Sequence, residues 1–327
     1  MSVPDLKLVR NRVRNFNRED NPLIQTIHSI RRQLAGVSAL MVICIVPGIA
    51  SAQFRPPQPA EVPDAVRMQR PTSQAIEMVQ SSLDDFVGTV DPATRAILDR
   101  YPGILEVRAP GANTAIIPSL AQGFRAKHEN NLEVARQGDI ELLLMGDSIT
   151  DFWRNAEGAY AGKPVLDEYF GQWKIANFGI AGDTTEGVLF RLNNGEGEGF
   201  SPRAIMLMIG TNNTRRNTAA EIAEGVGAIV LELQNDFPEA KILLLAVFPR
   251  GDANNPARGV IAEINETISR LDDGESVHYL DIGEAFLDEN GDIPTEIMSD
   301  GLHPSTAGYR IWAEAVREPL AELMGGD

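Results

Sequence analysis

Apolar residues in the C-terminal two-thirds of the chain form short continuous runs, and the longer segments between them show helical spacing. The runs are Ile140–Met145, Trp173–Phe178, Ala204–Ile209, Lys241–Val247 and Val277–Asp281. Nearly continuous apolar strands that alternate with helices are typical of a parallel sheet covered on both faces. The pattern therefore predicts an α/β fold, a three-layer α/β/α flavodoxin-like sandwich with a five-stranded parallel sheet.

Amphipathic segments predict the helices of the two outer layers. They are Asn131–Gln137, Thr184–Leu192, Thr218–Asp236, Pro256–Leu271 and Ser305–Met324. Thr218 and Glu221 have the spacing of a capping box at the start of the third helix. Ligands of such folds bind beyond the carboxyl ends of the strands, so we expect the functional residues in the loops that follow them.

The pattern over residues 53–120 predicts an N-terminal helical and proline-rich extension ahead of the α/β domain at 121–327. Thr72–Val87 carries apolar residues at helical spacing, and a second short helix begins at Asp91 and runs through Leu98. We expect these helices to pack against the α/β domain or to steer a partner toward it. A third interpretation treats the extension as a segment for docking to a partner or attaching to the cell wall.

Residues 1–52 resemble a secretory signal peptide cleaved after Ala52. Arg31-Arg32 precede the apolar run Leu34–Val46, and Ala50-Ser51-Ala52 follows it. The run is short for a membrane span. An uncleaved anchor and a start codon assigned too early remain open, because the part before Arg31 is long. Arg31-Arg32 also leave twin-arginine export open. The predicted location is periplasmic or secreted.

Charge and cysteine content narrow the classes of partner. The chain of 327 residues has a net charge of −17, and removing residues 1–52 leaves −21. Such a surface repels nucleic acid and acidic membranes, so neither is expected as a partner. The only cysteine, Cys44, lies in the predicted signal, so the mature chain would have no disulfide or cysteine-ligated metal. The oligomeric state stays open.

Ser148 is a candidate nucleophile because only two residues separate it from the end of the first apolar run. A tight turn there, permitted by Gly146, would hold its hydroxyl at the carboxyl edge of the sheet. A serine hydroxyl needs a neighbouring base to take its proton. A helix cap is the structural alternative for the Gly-Asp-Ser tripeptide.

His303 is the candidate base. The predicted mature chain has two other histidines, and both fit a structural role better, since His128 lies in a polar helical stretch and His278 begins a strand. Asp300, three positions before His303, can hold one ring nitrogen while the other faces Ser148. The combination indicates hydrolysis of an ester.

Two loops offer donors for the negative oxygen that forms during acyl transfer. Gly182 follows the second strand, where a glycine can point its backbone N–H into a cleft. Asn212 follows the third strand and carries a neutral amide donor. An ordinary turn and a loop cap are the respective alternatives, but all four elements follow the expected strands in the expected order.

These blocks resemble the SGNH, or GDSL-type, hydrolase superfamily over roughly residues 124–323. They are Gly146-Asp147-Ser148, Gly179-Ile180-Ala181-Gly182-Asp183, Gly210-Thr211-Asn212-Asn213 and Asp300-Gly301-Leu302-His303. Within it, the segments 177–192 and 247–251 look most like platelet-activating-factor acetylhydrolase catalytic subunits and related bacterial acetyl esterases. The resemblance implies Ser148 as nucleophile, His303 as base and Asp300 as its partner. It also implies an oxyanion hole of Ser148, Gly182 and Asn212, with no metal and no cofactor.

The sequence thus predicts a secreted serine esterase that removes short acyl groups, acetyl above all, from carbohydrate through an acyl-enzyme intermediate. A lysophospholipase or broad lipid esterase is the alternative enzyme, and a non-catalytic carbohydrate-binding protein is the alternative class. Trp153 and Trp173 are candidates for a pocket wall or for ordinary packing. Arg250 is a candidate for contact with substrate or for an ion pair with a carboxylate.

Overall fold

The computed structural model describes residues 57–325, so the predicted signal peptide and its cleavage site lie outside the described residues. The strands are β1 Leu142–Gly146, β2 Ile175–Asn177, β3 Ala204–Met208, β4 Lys241–Leu245 and β5 Val277–Leu280. The helices before and around β1 are α1 Ser73–Thr89, α2 Pro92–Leu98, α3 Arg125–Gln137, α4 Ser148–Asp151 and α5 Lys163–Phe170. The later helices are α6 Thr185–Arg191, α7 Ala219–Asp236, α8 Ala257–Ile268 and α9 Thr306–Leu323. No helix within the described range is long and apolar enough to cross a membrane.

The five strands form one parallel sheet in the order β2-β1-β3-β4-β5. This is the flavodoxin-like strand order, and the predicted fold class is confirmed. The central strand pair places Gly146 beside Met208, so β1 and β3 end at the same edge. The loops after these strands therefore start next to each other.

Side chains alternate between two apolar layers along β1. Leu143 and Met145 are buried in the layer covered by α3, α6, α7 and α8, and Leu142 and Leu144 are buried in the layer covered by α4, α5 and α9. Burial on both faces explains why the strands appear in the sequence as continuous apolar runs. The sheet is thus held from both sides by the hydrophobic effect.

The capping box at the start of α7 is confirmed. The Thr218 hydroxyl accepts a hydrogen bond from the Glu221 backbone N–H at 3.3 Å, and the Glu221 carboxylate accepts one from the Thr218 N–H at 2.9 Å. The other helices and the strands differ from the predicted bounds mostly by one to three residues at each end, since helix ends and strand ends carry weak signals. The helices α4 and α5 were not predicted with separate bounds.

The extension packs against α7 through its first residues. Val62 and Val66 are buried in the layer that contains α7, and the Ala60 N–H donates to the Ile116 carbonyl at 2.7 Å. Glu224 of α7 is fully buried, and its carboxylate accepts hydrogen bonds from the Met68 N–H at 3.0 Å, the Arg70 guanidinium at 2.7 Å and the Asn113 amide at 2.8 Å.

The two helices of the extension are much less covered than this arm. Val87 is the one buried residue of α1, and α2 has none. Large apolar side chains on and after these helices are exposed: Met78, Val79, Phe86, Ile97, Tyr101 and Ile104. The apolar residues of α1 are therefore spaced along a helix as predicted, but most of them do not pack against the core.

Candidate active site

The turn from β1 into α4 places Ser148 at the edge of the sheet. A Cβ atom on Gly146 would lie 2.3 Å from both the Met208 carbonyl oxygen and the Thr150 hydroxyl oxygen, so the turn requires glycine. The Asp147 carboxylate caps α4 by accepting a hydrogen bond from the Ile149 N–H at 3.0 Å. Ser148 is the first residue of α4, and its N–H therefore has no acceptor within the helix.

Ser148, His303 and Asp300 come together as a hydrogen-bonded line. The Ser148 Oγ lies 2.8 Å from His303 Nε2, and His303 Nδ1 lies 2.6 Å from Asp300 Oδ2. The other Asp300 oxygen accepts a hydrogen bond from the His303 backbone N–H at 2.8 Å. The geometry lets the imidazole take the serine proton while the carboxylate faces the opposite ring nitrogen.

Asp300 is held ionised by its surroundings. Burial raises its pKa, but hydrogen bonds from the His303 backbone, the His303 ring and the Leu302 N–H outweigh burial and bring the pKa to about 2. A carboxylate with a lowered pKa contributes stability above about pH 4, and this contribution is lost only as the pH falls toward 2. Asp300 can therefore stabilise a positive charge on His303 over the whole neutral range.

Two aromatic residues that sequence reasoning missed surround the base. The Tyr160 hydroxyl donates to Asp300 Oδ2 at 3.0 Å, and its ring lies 5.2 Å from the His303 ring between centroids. Phe152 packs on the other two rings, 5.0 Å from His303 and 5.7 Å from Tyr160. Neither residue follows a strand or belongs to a periodic segment, so only the tertiary structure reveals their position.

The candidate oxyanion donors face the same cavity as Ser148 and His303. Gly182 has a φ of +86°, a conformation that favours glycine, and the Asn212 amide nitrogen donates one hydrogen bond to the Asp183 carbonyl at 2.8 Å. An amide carries two N–H donors, so one remains for a ligand. The cavity has a volume of about 610 Å³ and is lined by Ser148, Phe152, Ala181, Gly182, Thr184, Asn212, Arg215, Arg216, Leu302 and His303.

Buried charges hold the loop that contains Gly182 on one side. Asp183 pairs with Arg191 at 3.0 Å, Arg191 also pairs with Glu196, and all three side chains are fully buried. His128 joins them, with its Nδ1 2.7 Å from Glu196. This agrees with the structural role expected for His128. Removing one member would leave a buried charge without its partner, which is costly.

A second group of polar contacts holds the other side of the same loop. The buried Asp151 carboxylate accepts a hydrogen bond from the Ala181 N–H at 2.9 Å. It also pairs with Arg154 and Lys127, and Arg154 donates to the Asn177 carbonyl at 2.8 Å. The loop is thus fixed at residues on both sides of Gly182.

Three further candidates occupy positions that the structure defines. Trp153 is fully buried and packs on Tyr309 and Trp312, and Trp173 stacks on Phe170, so the packing interpretation is correct and neither lines the cavity. Arg250 donates to the Thr211 hydroxyl at 3.2 Å and has no carboxylate within ion-pair distance among the described residues. Within residues 57–325, no three His, Cys, Asp or Glu side chains are grouped so that they could hold a metal ion.

Comparison with known proteins gives the family. The sequence model of the GDSL-like lipase/acylhydrolase family matches residues 144–311. The alpha2 subunit of platelet-activating factor acetylhydrolase IB from Homo sapiens is 33% identical over 220 residues, which cover 65% of this chain and 93% of that protein. The alpha1 subunit from Rattus norvegicus is 31% identical over 224 residues, which cover 66% and 93%.

A solved structure supports the fold. A protein from Streptococcus pneumonia, described as a platelet activating factor, superimposes with a TM-score of 0.50 at 24% identity, covering 60% of this chain and 92% of that one. The chain therefore belongs to the GDSL-like lipase/acylhydrolase family. It is an SGNH-type carboxylic ester hydrolase, as its four sequence blocks predicted.

Asp147 offers a test of the electrostatics beside the nucleophile. Its Oδ2 is buried without a hydrogen-bond partner among the described residues. Burial raises its pKa to about 7, the Ile149 N–H and Arg250 lower it, and Asp183 raises it further. Between about pH 4 and 7 the folded state keeps a proton that the unfolded chain has lost, so this group lowers stability as the pH rises through that range.

We expect Asp147→Asn to remove this dependence, because an asparagine caps a helix as well and does not titrate. Relative to the parent, the free energy of unfolding of the variant should increase from pH 4 to pH 7, by at most about 1.4 kcal/mol per pH unit. Urea unfolding at pH 5 and pH 8 measures this difference in the free energy of unfolding, and Asp85→Asn, at an exposed position, is the control. An equal difference at both pH values would contradict the account.

Proposed function

We propose that this protein is a secreted or periplasmic serine esterase that removes short acyl groups, in particular acetyl, from carbohydrate through an acyl-enzyme intermediate. The observation that carries the proposal is the line from Ser148 through His303 to Asp300, with Oγ 2.8 Å from Nε2, beside Gly182 and Asn212 in one cavity. A nucleophile, its base and oxyanion donors around one cavity are the requirements of acyl transfer.

In the first half of the reaction, Ser148 Oγ attacks the ester carbonyl carbon and its proton passes to His303 Nε2. Asp300 stabilises the imidazolium that forms. The carbonyl oxygen becomes negative and accepts hydrogen bonds from the Ser148 N–H, the Gly182 N–H and the Asn212 amide. The bond to the alcohol oxygen then breaks, and His303 returns the proton to the leaving alcohol.

In the second half, a water molecule attacks the acyl group that is now bound to Ser148. His303 takes a proton from the water, and the same donors stabilise the second tetrahedral intermediate. The bond between the acyl carbon and Ser148 Oγ breaks, and Ser148 recovers the proton from His303. The products are the free alcohol and a carboxylic acid.

The cavity walls support a short acyl group. Only Phe152, Ala181 and Leu302 among the lining residues are apolar. Each methylene of a long chain needs further apolar surface to gain about 0.8 kcal/mol on burial, and these three side chains can cover only a few methylenes. The curated relatives are named acetylhydrolases, which agrees with an acetyl group as the acyl part.

The assignment to carbohydrate rests on the predicted export and on the charge of the chain. The net charge of −17 disfavours binding to acidic membrane surfaces, where a lipid esterase would find its substrate. The cavity lining is rich in hydrogen-bond donors, which suits a polyhydroxylated alcohol better than a lipid. Export brings an enzyme into contact with extracellular polysaccharide.

Ser148→Ala should lower kcat by about 10⁴ and abolish labelling by a fluorophosphonate, because the nucleophile is removed while binding and oxyanion donors remain. Acetate release from acetylated xylan and in-gel labelling measure the two effects. Ser81→Ala, on the exposed face of α1, is the matched control and should label normally. Full labelling of the Ser148 variant would exclude Ser148 as the nucleophile.

A series of p-nitrophenyl esters from acetate to decanoate distinguishes an acetyl esterase from the alternative, a lipid esterase. Because the apolar side chains of the cavity can cover only a few methylenes, kcat/KM should be highest for acetate or propionate and fall with chain length. A maximum at octanoate or longer would overturn the acetyl assignment and favour a lysophospholipase. No hydrolysis of any ester or of acetylated polysaccharide would instead favour the non-catalytic carbohydrate-binding protein.

A further inference from the structure

The wall of the active-site cavity carries arginine side chains, although the chain as a whole is acidic. The sequence contains 46 acidic and 29 basic residues, yet the cavity is lined by Arg215 and Arg216 and by no aspartate or glutamate. Both arginines belong to the loop that begins with Thr211 and Asn212, directly after β3. Cationic side chains on the wall influence which ligands can bind beside Ser148.

The two arginines differ in what their charges contact. Arg216 pairs with Glu186, whose side chain is only 6% exposed, so its charge is balanced by the protein. Arg215 is exposed, and its guanidinium group makes no hydrogen bond or ion pair within residues 57–325. Many exposed arginines on protein surfaces have no partner. Arg215 differs from them because it lies on the wall of the cavity that contains Ser148.

A third arginine makes the local charge more positive. Arg250 lies behind Thr211 and uses one guanidinium nitrogen to contact the Thr211 carbonyl and hydroxyl. Burial lowers the pKa of Arg250, the nearby Arg215 lowers it further, and Asp147 and Asp300 oppose both effects. Two guanidinium groups that repel each other beside the cavity would both gain from a bound anion.

We propose that the preferred ester carries a carboxylate on its alcohol part and that Arg215 binds this carboxylate. The proposal rests on the proposed function: an acetyl group is uncharged, so the anion must belong to the alcohol. Together with carbohydrate as the substrate class, it indicates an acetylated acidic sugar. Arg215 is then a specificity-determining residue, distinct from the groups that act on the ester bond.

A carboxylate fits better than a phosphate monoester. Arg215 is the one arginine of the cavity wall without an ion-pair partner among the described residues, since Arg216 pairs with Glu186 and Arg250 does not line the cavity. This matches a single negative charge, whereas a phosphate monoester carries close to two. The planar guanidinium also binds a carboxylate through two parallel hydrogen bonds. Hydrogen bonds to charged groups at such sites change binding by about tenfold or somewhat more.

The experiment compares kcat/KM for monoacetylated methyl glucuronosides with the matching glucosides, by acetate release, in four proteins. The anionic-to-neutral ratio should fall about tenfold in Arg215→Gln and be largely retained in Arg215→Lys, because lysine keeps the charge. Arg100→Gln, in the extension and outside the cavity, changes net charge equally and should keep the parent ratio. For the parent, added salt should also lower the ratio.

The outcomes separate this inference from the proposed function. Hydrolysis of the neutral glucosides that depends on Ser148, with a ratio that Arg215→Gln does not change, overturns the role of Arg215 and leaves the esterase intact. A ratio that falls equally in Arg100→Gln also overturns it, since net charge would then be the cause. Acetylated glycerol 3-phosphate, compared with acetylated glycerol, tests the other anion: a larger Arg215 effect there would replace the carboxylate by a phosphate.

Discussion

The hydrogen bond between the Ser148 hydroxyl and the His303 imidazole is the contact on which the site depends. It joins residues 155 positions apart at a distance of 2.8 Å. It exists because β1 and the loop before α9 reach the same edge of one parallel sheet. The two apolar layers hold that sheet, so the geometry of a single proton transfer is set by the packing of the whole domain.

The negative charge that develops during acyl transfer requires donors that are already in position, because reorganising them would cost energy at the moment of reaction. The Gly182 loop meets this requirement through contacts on both sides: the buried ion pair of Asp183 with Arg191, and the hydrogen bond from the Ala181 N–H to Asp151. Such ion pairs do little for net stability once their desolvation is counted. Their contribution here is to hold the residues on both sides of Gly182 in place.

Much of this arrangement could be predicted where it depends on residues close together in the sequence. Continuous apolar runs predicted the parallel sheet, the Thr218 and Glu221 spacing predicted a capping box, and the turn residues after three strands predicted which residues meet. Tyr160 and Phe152 could not be predicted, because they contact His303 through tertiary packing and follow no periodic pattern. The distinction between Arg215 and Arg216 likewise depends on Glu186, which lies about 30 positions away and is brought close only by folding.

The most direct test of the central claim is a crystal structure of the protein inhibited by a fluorophosphonate. We expect a covalent bond from Ser148 Oγ to phosphorus, with the phosphonyl oxygen about 2.7–3.1 Å from the Ser148 backbone nitrogen, the Gly182 backbone nitrogen and the Asn212 amide nitrogen. A covalent adduct on another residue, or a phosphonyl oxygen that points to solvent away from all three donors, would contradict it.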